Sequence, residues 1–209
     1  MAPVAREPPH ADGVAALDRL SEQLLAAAAA AGLRVAVAGT DAEREAAYRL
    51  RHEQVVGDGW AEGGALQDGL EQDAHDAGAL HVCAWRGSDL VGTVRVVLPV
   101  ADRPLPVEAA FGLTVEPHGA VAEAGRLVVA PPHRGDPTHT AWGALFARAW
   151  LELRAHGYAV LAGTATPRMI DRLRALGLPF ETLGPARPYW GEARYPVRLD
   201  PAQGTPRWF

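Results

Sequence analysis

Residues 121–140, VAEAGRLVVAPPHRGDPTHT, constrain the fold more than any other stretch. Residues 121–130 are valine-rich and read as a core strand, yet they carry Glu123 and Arg126. A buried charge costs on the order of several kcal/mol unless it is paired. The strand therefore either holds a structural ion pair at its end or presents groups that act on a substrate. Residues 131–136 form a turn with a basic centre, His133-Arg134-Gly135. From Pro137 a helix is predicted, because Trp142, Leu145, Phe146, Ala149, Trp150 and Leu153 recur at helical spacing. A strand that opens through such a turn sets a helix start, with its free N–H groups, where an anion can bind.

The rest of the chain supplies layers for this strand. Residues 1–11 hold three prolines and no periodicity, which predicts a mobile tail; residues 12–209 read as one domain. Asp12 can cap a first helix whose apolar stripe is Val14, Leu17, Leu20, Leu24, Leu25 and Ala28, ended by Gly32. Residues 34–39 alternate as a strand, and Thr40 to Glu43 is a capping-box pattern opening a helix to about Val55. Residues 80–86 and 90–99 are strands joined by Gly87-Ser88-Asp89. Residues 101–117 are Pro-rich, with Phe111 and Leu113 as core contacts. A strand at 158–163, a helix at 167–176 with Pro167 at its first position, and strands at 180–183 and 194–199 follow; the segment GPARPYWGEA between the last two reads as a loop. The order α β α β β β α β α β β predicts an α+β fold, a mostly antiparallel sheet flanked by helices.

Charges at unusual places mark candidate site residues. Arg95 lies in the apolar run VGTVRVVLP and needs an anionic partner, either Glu123 or the acidic cluster of Glu71, Asp73 and Asp76 with His75. That cluster reads as a site for a metal or a cationic amine, or as a solvated loop. Trp60, the one large aromatic of a glycine-rich loop, either folds back on the core or walls a substrate pocket. Cys83, the single cysteine, excludes an internal disulfide, fits a reducing, cytoplasmic compartment and reads as a core residue. Zinc-type spacing is absent and no metal is expected. A net charge of −5 argues against nucleic acid as a partner, and no run is long enough for a membrane span or shaped as a signal peptide.

Taken together, these residues resemble the GNAT acyltransferase superfamily. The element order matches, and Val129-Ala-Pro-Pro-His-Arg134-Gly135 resembles its V-x-P-x-x-R-G segment ahead of the pantetheine-binding helix. The chain is most similar to the acyl-homoserine-lactone synthase branch and its N-acyl amino acid synthase relatives. Arg51-His-Glu-Gln-Val55 with Trp60 is similar to that branch's R-x-x-x-F…W, Asp73-x-x-Asp76 to its D-x-x-D, Arg95 to its strand arginine, Phe111 to a later phenylalanine, and Glu123-x-x-Arg126 to its E-x-S-R. Val55 and Gly125 depart from the family's phenylalanine and serine.

The resemblance implies an N-acyltransferase that moves an acyl group from acyl carrier protein or coenzyme A to the amine of an amino acid or its derivative, with no permanently bound cofactor. Glu123, Arg126 and Arg95 would form the catalytic environment, and Arg51, Trp60, Asp73, Asp76 and Phe111 the acceptor pocket. Val128, Val129, Ala130, Arg134 and Gly135 would meet the donor. Glu123 is the candidate base, or else the partner of Arg126 or Arg95. The oxyanion donor is expected within residues 128–130, since Pro131 and Pro132 have no N–H. The turn reads Arg134-Gly135-Asp136-Pro137, which suits a phosphopantetheine arm on a carrier protein better than the diphosphate of coenzyme A. A GNAT-like transferase with aminoacyl-tRNA as donor and a non-catalytic GNAT-like ligand sensor remain open.

Overall fold

The computed structural model describes residues 11–60, 66–136, 138–175, 177–178 and 180–203. The predicted tail lies outside them except for Ala11, which is helical, as do the side chain of Asp12 and residue Pro137. In chain order the elements are α1 (Ala11–Ala30), β1 (Arg34–Val37), α2 (Asp41–Gly57), β2 (Leu80–Arg86), β3 (Asp89–Val97), α3 (Pro106–Phe111), β4 (Val121–Val129), α4 (Thr140–Ala155), β5 (Val160–Ala165), α5 (Pro167–Ala175), β6 (Phe180–Thr182), β7 (Arg187–Tyr189) and β8 (Glu192–Leu199). The sheet order is β1-β2-β3-β4-β5-β8-β6, with β7 paired to β8. Every pairing is antiparallel except β4 with β5. None of the described helices is long and apolar enough to cross a membrane.

Side-chain alternation gives the sheet two buried faces. Val82, Ala84, Val94, Val96 and Ala122 meet Leu17 of α1 and Leu145, Trp150 and Leu153 of α4. The Trp150 indole N–H donates to Asp18 at 2.7 Å and ties these two helices together. On the opposite face Cys83 and Trp85 pack against Ala47 of α2, and Val97 and Val121 against Val107 and Phe111 of α3. Thr40 caps α2 through the Glu43 N–H, as the capping-box pattern predicts.

Two irregularities shape the centre. The register between β3 and β4 shifts between Thr93–Val128 and Arg95–Gly125, so β4 carries an extra residue there. Within that bulge Arg126 sits at φ 55°, a left-handed conformation that non-glycine residues seldom adopt. The second irregularity is a parting of strands. The β4–β5 ladder ends at Glu123–Ala162, although both strands continue, so they splay apart beyond it.

The sequence reading missed two elements. The Pro-rich 101–117 stretch contains α3, which starts on Pro106 at its first position with Glu108 bonding back to the Leu105 N–H. The segment read as a loop before β8 contains β7, joined to β8 by a two-residue turn, Trp190-Gly191, since Tyr189 pairs with Glu192.

Candidate active site

Three arginines and three acids meet beneath the bulge. Arg51 of α2 donates to Glu71 and, with both terminal nitrogens, to Asp76 at 2.8 and 3.1 Å. Arg95 of β3 reaches Asp73 at 2.7 Å and Asp76 at 3.0 Å. Arg126 of β4 reaches Glu71 at 3.1 Å and Asp73 at 3.2 Å. The acids belong to the loop between α2 and β2, so the network stitches that loop to the sheet. Burial alone would raise the Asp76 carboxyl, but the two-point bond from Arg51 and the charge of Arg95 hold it well below the usual carboxylate range. His81 of β2 lies beside Asp76; burial depresses its pKa and keeps it neutral, with Nε2 3.1 Å from the Tyr48 hydroxyl.

The bulge makes the Glu123-x-x-Arg126 spacing usable. Residues three apart on a regular strand face opposite ways. The extra residue turns Arg126 back toward the face that holds Glu123. Arg126 then reaches the acids, while Glu123 does not pair with it or with Arg95. The Glu123 carboxylate accepts the Val107 N–H at 2.7 Å and makes no ion pair among the described residues. Complete burial pushes its pKa up to about 7, against the hydrogen bond from Val107 and the charges of Arg95 and Arg126.

Glu123, Arg126, Trp60, Arg134, Val128 and Val129 line a pocket of about 320 Å³. Tyr189, Trp190 and Arg194 from the β7–β8 hairpin complete its wall. Arg126 lies 4.2 Å from the centroid of the Trp190 ring, and Arg194 lies 5.0 Å from that of Trp60. An apolar extension of about 110 Å³ runs between the parted strands, bounded by Ala124, Leu161, Phe146, Leu173 and Phe180. Its mouth shares Gly125, Leu127 and Thr164 with the main pocket.

The parted strands leave a backbone donor facing this space. Ala130 spends its N–H on the Val91 carbonyl at 2.8 Å. Val128 lies on the same side of β4 by alternation, opposite Thr93 in the β3 ladder. Val129 faces the other way, where no β5 partner remains, and its carbonyl accepts Arg134 Nε at 2.8 Å. Of the three positions expected to supply an oxyanion donor, Val129 therefore has the N–H that points into the gap.

Other sequence candidates lie off the pocket. Phe111 is buried against Tyr189, with ring centroids 5.8 Å apart. Asp73, Asp76 and Arg95 support the wall rather than form it, and Gly135 is exposed on the turn. Asp136 accepts the N–H groups of Thr138 and Thr140 at 2.9 and 3.1 Å, and these bonds with the Thr138 hydroxyl lower its pKa to about 2. Its carboxylate thus occupies the start of α4. Cys83 is buried, its thiol pushed up to about 11. A larger cavity of about 590 Å³ lies between residues 99–105 and 113–121; its one buried acid, Glu108, is spent on the Leu105 and Val115 N–H groups. Tyr189, Trp190 and Arg194 went unread in the sequence, where Trp190-Gly191 is not one of the usual two-residue hairpin pairs.

Residues 50–143 match the acetyltransferase (GNAT) domain model. The stretch that is similar to that domain spans just under half of the chain. Among solved structures it is similar to the AHL synthase LasI, with 18% identity and a TM-score of 0.63 over 83% of this chain and 96% of that one. It is also similar to FeeM, an N-acyl amino acid synthase from uncultured soil microbes, with 19% identity and a TM-score of 0.63 over 84% and 92%. BjaI, a CoA-dependent acyl-homoserine lactone synthase solved with SAM and isopentyl-CoA, has 21% identity and a TM-score of 0.59 over 75% and 74%. No curated protein matches the sequence. These likenesses establish the mixed, mostly antiparallel GNAT fold that the element order predicts.

Proposed function

We propose that the protein transfers an acyl group from a phosphopantetheine thioester to the amine of an amino acid or amino-acid derivative. The observation that carries this reading is the buried, unpaired Glu123 carboxyl beside the gap between β4 and β5. The thioester arm lies in that gap, with the acyl chain in the apolar extension. The Val129 N–H donates to the carbonyl oxygen as it becomes an oxyanion. The acceptor amine, held in the main pocket, loses a proton to Glu123 directly or through one water. The amine nitrogen then bonds to the carbonyl carbon. The C–S bond breaks and the thiolate takes the proton held by Glu123, while the second proton of the nitrogen passes to the regenerated carboxylate and on to solvent.

We further infer that an acyl carrier protein is the preferred donor. Asp136 puts a carboxylate where a coenzyme A diphosphate would approach the start of α4. Arg168 and Arg172, one turn apart and exposed on α5, offer a basic surface to an acidic carrier. BjaI is a CoA-dependent synthase, so the same fold also accommodates a coenzyme A donor, and the donor has to be tested directly. The test presents one acyl chain on each carrier with a pool of amines, and product is read by mass spectrometry. An N-acyl product formed with a higher kcat/KM from the carrier protein, and weakened by Arg168→Glu with Arg172→Glu, is the expected result. Equal or better use of acyl-coenzyme A removes the donor assignment, and no N-acyl product from either removes the reaction.

A further inference from the structure

The acids that could attract a cationic acceptor are already spent. Glu71, Asp73 and Asp76 are matched by Arg51, Arg95 and Arg126, three against three. The cluster therefore offers no uncompensated negative charge to a ligand. The ionisable groups left facing the pocket outside that network are Glu123, Arg134, Arg194 and Tyr189. Arg134 sits at the open mouth with its Nε committed to the Val129 carbonyl.

Arg194 differs. It rises from β8, with only 14% of its side chain exposed, and is held in place from three sides. Its Nε donates to the Tyr189 carbonyl at 3.1 Å, Nη2 donates to Glu192 at 3.1 Å, and the guanidinium stacks on Trp60. Glu192 is itself half in solvent, 46% exposed, and so offsets the charge only in part. Nη1 has no hydrogen-bond partner among the described residues. A guanidinium fixed against an aromatic face, with a free edge toward a pocket, is a carboxylate receptor.

We propose that Arg194 binds the carboxylate of the acceptor, so that the substrate class is amines bearing a free α-carboxylate rather than their carboxamides. The acceptor's amine then lies toward Glu123, on the same pocket wall as the parted strands. A cationic acceptor would meet Arg194 and Arg134 with no unmatched acid except Glu123, whose charge is used to take the proton. The inference rests on the acyltransfer reading of this site.

The test measures acylation of free amino acids against their carboxamides, with one acyl thioester, for the wild type, Arg194→Gln and Arg194→Lys. Calorimetric binding of the preferred acid and its amide accompanies it. The wild type should favour the acid by about tenfold or more in kcat/KM, the size of one charge-assisted contact. Arg194→Gln should bring that ratio close to one, mainly through KM, and Arg194→Lys should restore part of it. A wild type that takes amides as readily as acids overturns the proposal, as does a ratio preserved in Arg194→Gln. If no amine is acylated the transfer reading fails, and the calorimetric preference for acid over amide still decides the role of Arg194.

Discussion

Gly191 and Trp60 are packed so closely that a side chain cannot stand between them. A Cβ built on Gly191 would lie 2.6 Å from Trp60 Cγ, and Gly191 itself has φ 68°. The tip of the β7–β8 hairpin is thereby clasped to the end of α2, and the pocket gains a roof. Trp190, beside it, also has positive φ, 51°, so the turn is of the type whose two central residues are both left-handed. A tryptophan there is strained, and its stacking on Arg126 offsets that strain.

Gly191→Ala should therefore act on the acceptor site. The expected outcome is a severalfold rise in acceptor KM, a change in tryptophan fluorescence, and a stability loss of about 1–2 kcal/mol from the backbone. Gly119→Ala is the control, since φ is 72° there with nothing within 4 Å. It should cost similar stability without touching KM. Equal kinetics in both variants would show that the clasp does not shape the pocket.

Arg51→Met should unfold the protein more than any other change to the network. It leaves Glu71 and Asp76 buried, the latter with only Arg95 as an arginine partner. Breaking a buried pair from one side costs about 3–5 kcal/mol. Denaturant titration checks this, and a loss under 1 kcal/mol would mean that the loop acids relax into water.

Acyl chain length should follow the apolar extension. Its volume is about 110 Å³. That is about a third of the main pocket's 320 Å³, so the space suits a short chain. Short acyl thioesters should have the highest kcat/KM. Phe180→Ala, at the wall, should move the optimum two or more carbons longer. A wild-type optimum at twelve or more carbons would place the chain elsewhere.

Glu123 should also make stability depend on pH. Its folded pKa, about 7, stands above the ordinary value of 4.5. The native state therefore holds this proton more tightly than the unfolded chain does. The stability gained is fully present below about pH 4.5 and is lost as pH rises through about 7. Glu123→Gln lacks this term, so its melting temperature relative to wild type should climb between these pH values and then level off. A difference that is flat with pH would mean that Glu123 is not buried as described.

The sequence made the scaffold legible where patterns were strong. Helical spacing from Trp142 to Leu153 and alternation in β1 predicted their elements, because one buried face selects one period, and the turn Gly87-Ser88-Asp89 marked β2 and β3. The charged residues within apolar strands signalled the network, since Arg95 inside β3 had to find an acid. Which acid it found was not readable: Glu123 and the 71–76 loop were equal candidates until the bulge at Arg126 fixed the geometry. A bulge has no signature in Ala124-Gly125-Arg126 beyond the glycine. The hairpin that carries Trp190 and Arg194 stayed hidden because Pro188 and Gly191 mark a loop as readily as a turn between short strands.

The central claim is that Glu123 takes the proton from the acceptor amine. The direct measurement is the pH dependence of kcat/KM for acyl transfer in the wild type and Glu123→Gln. The wild type should rise through an apparent pKa close to 7, set by the buried carboxyl. Glu123→Gln should lose that limb and fall by about 10²–10⁴-fold, the usual range for removal of a general base. A variant that keeps wild-type turnover and the same rising limb would contradict the account.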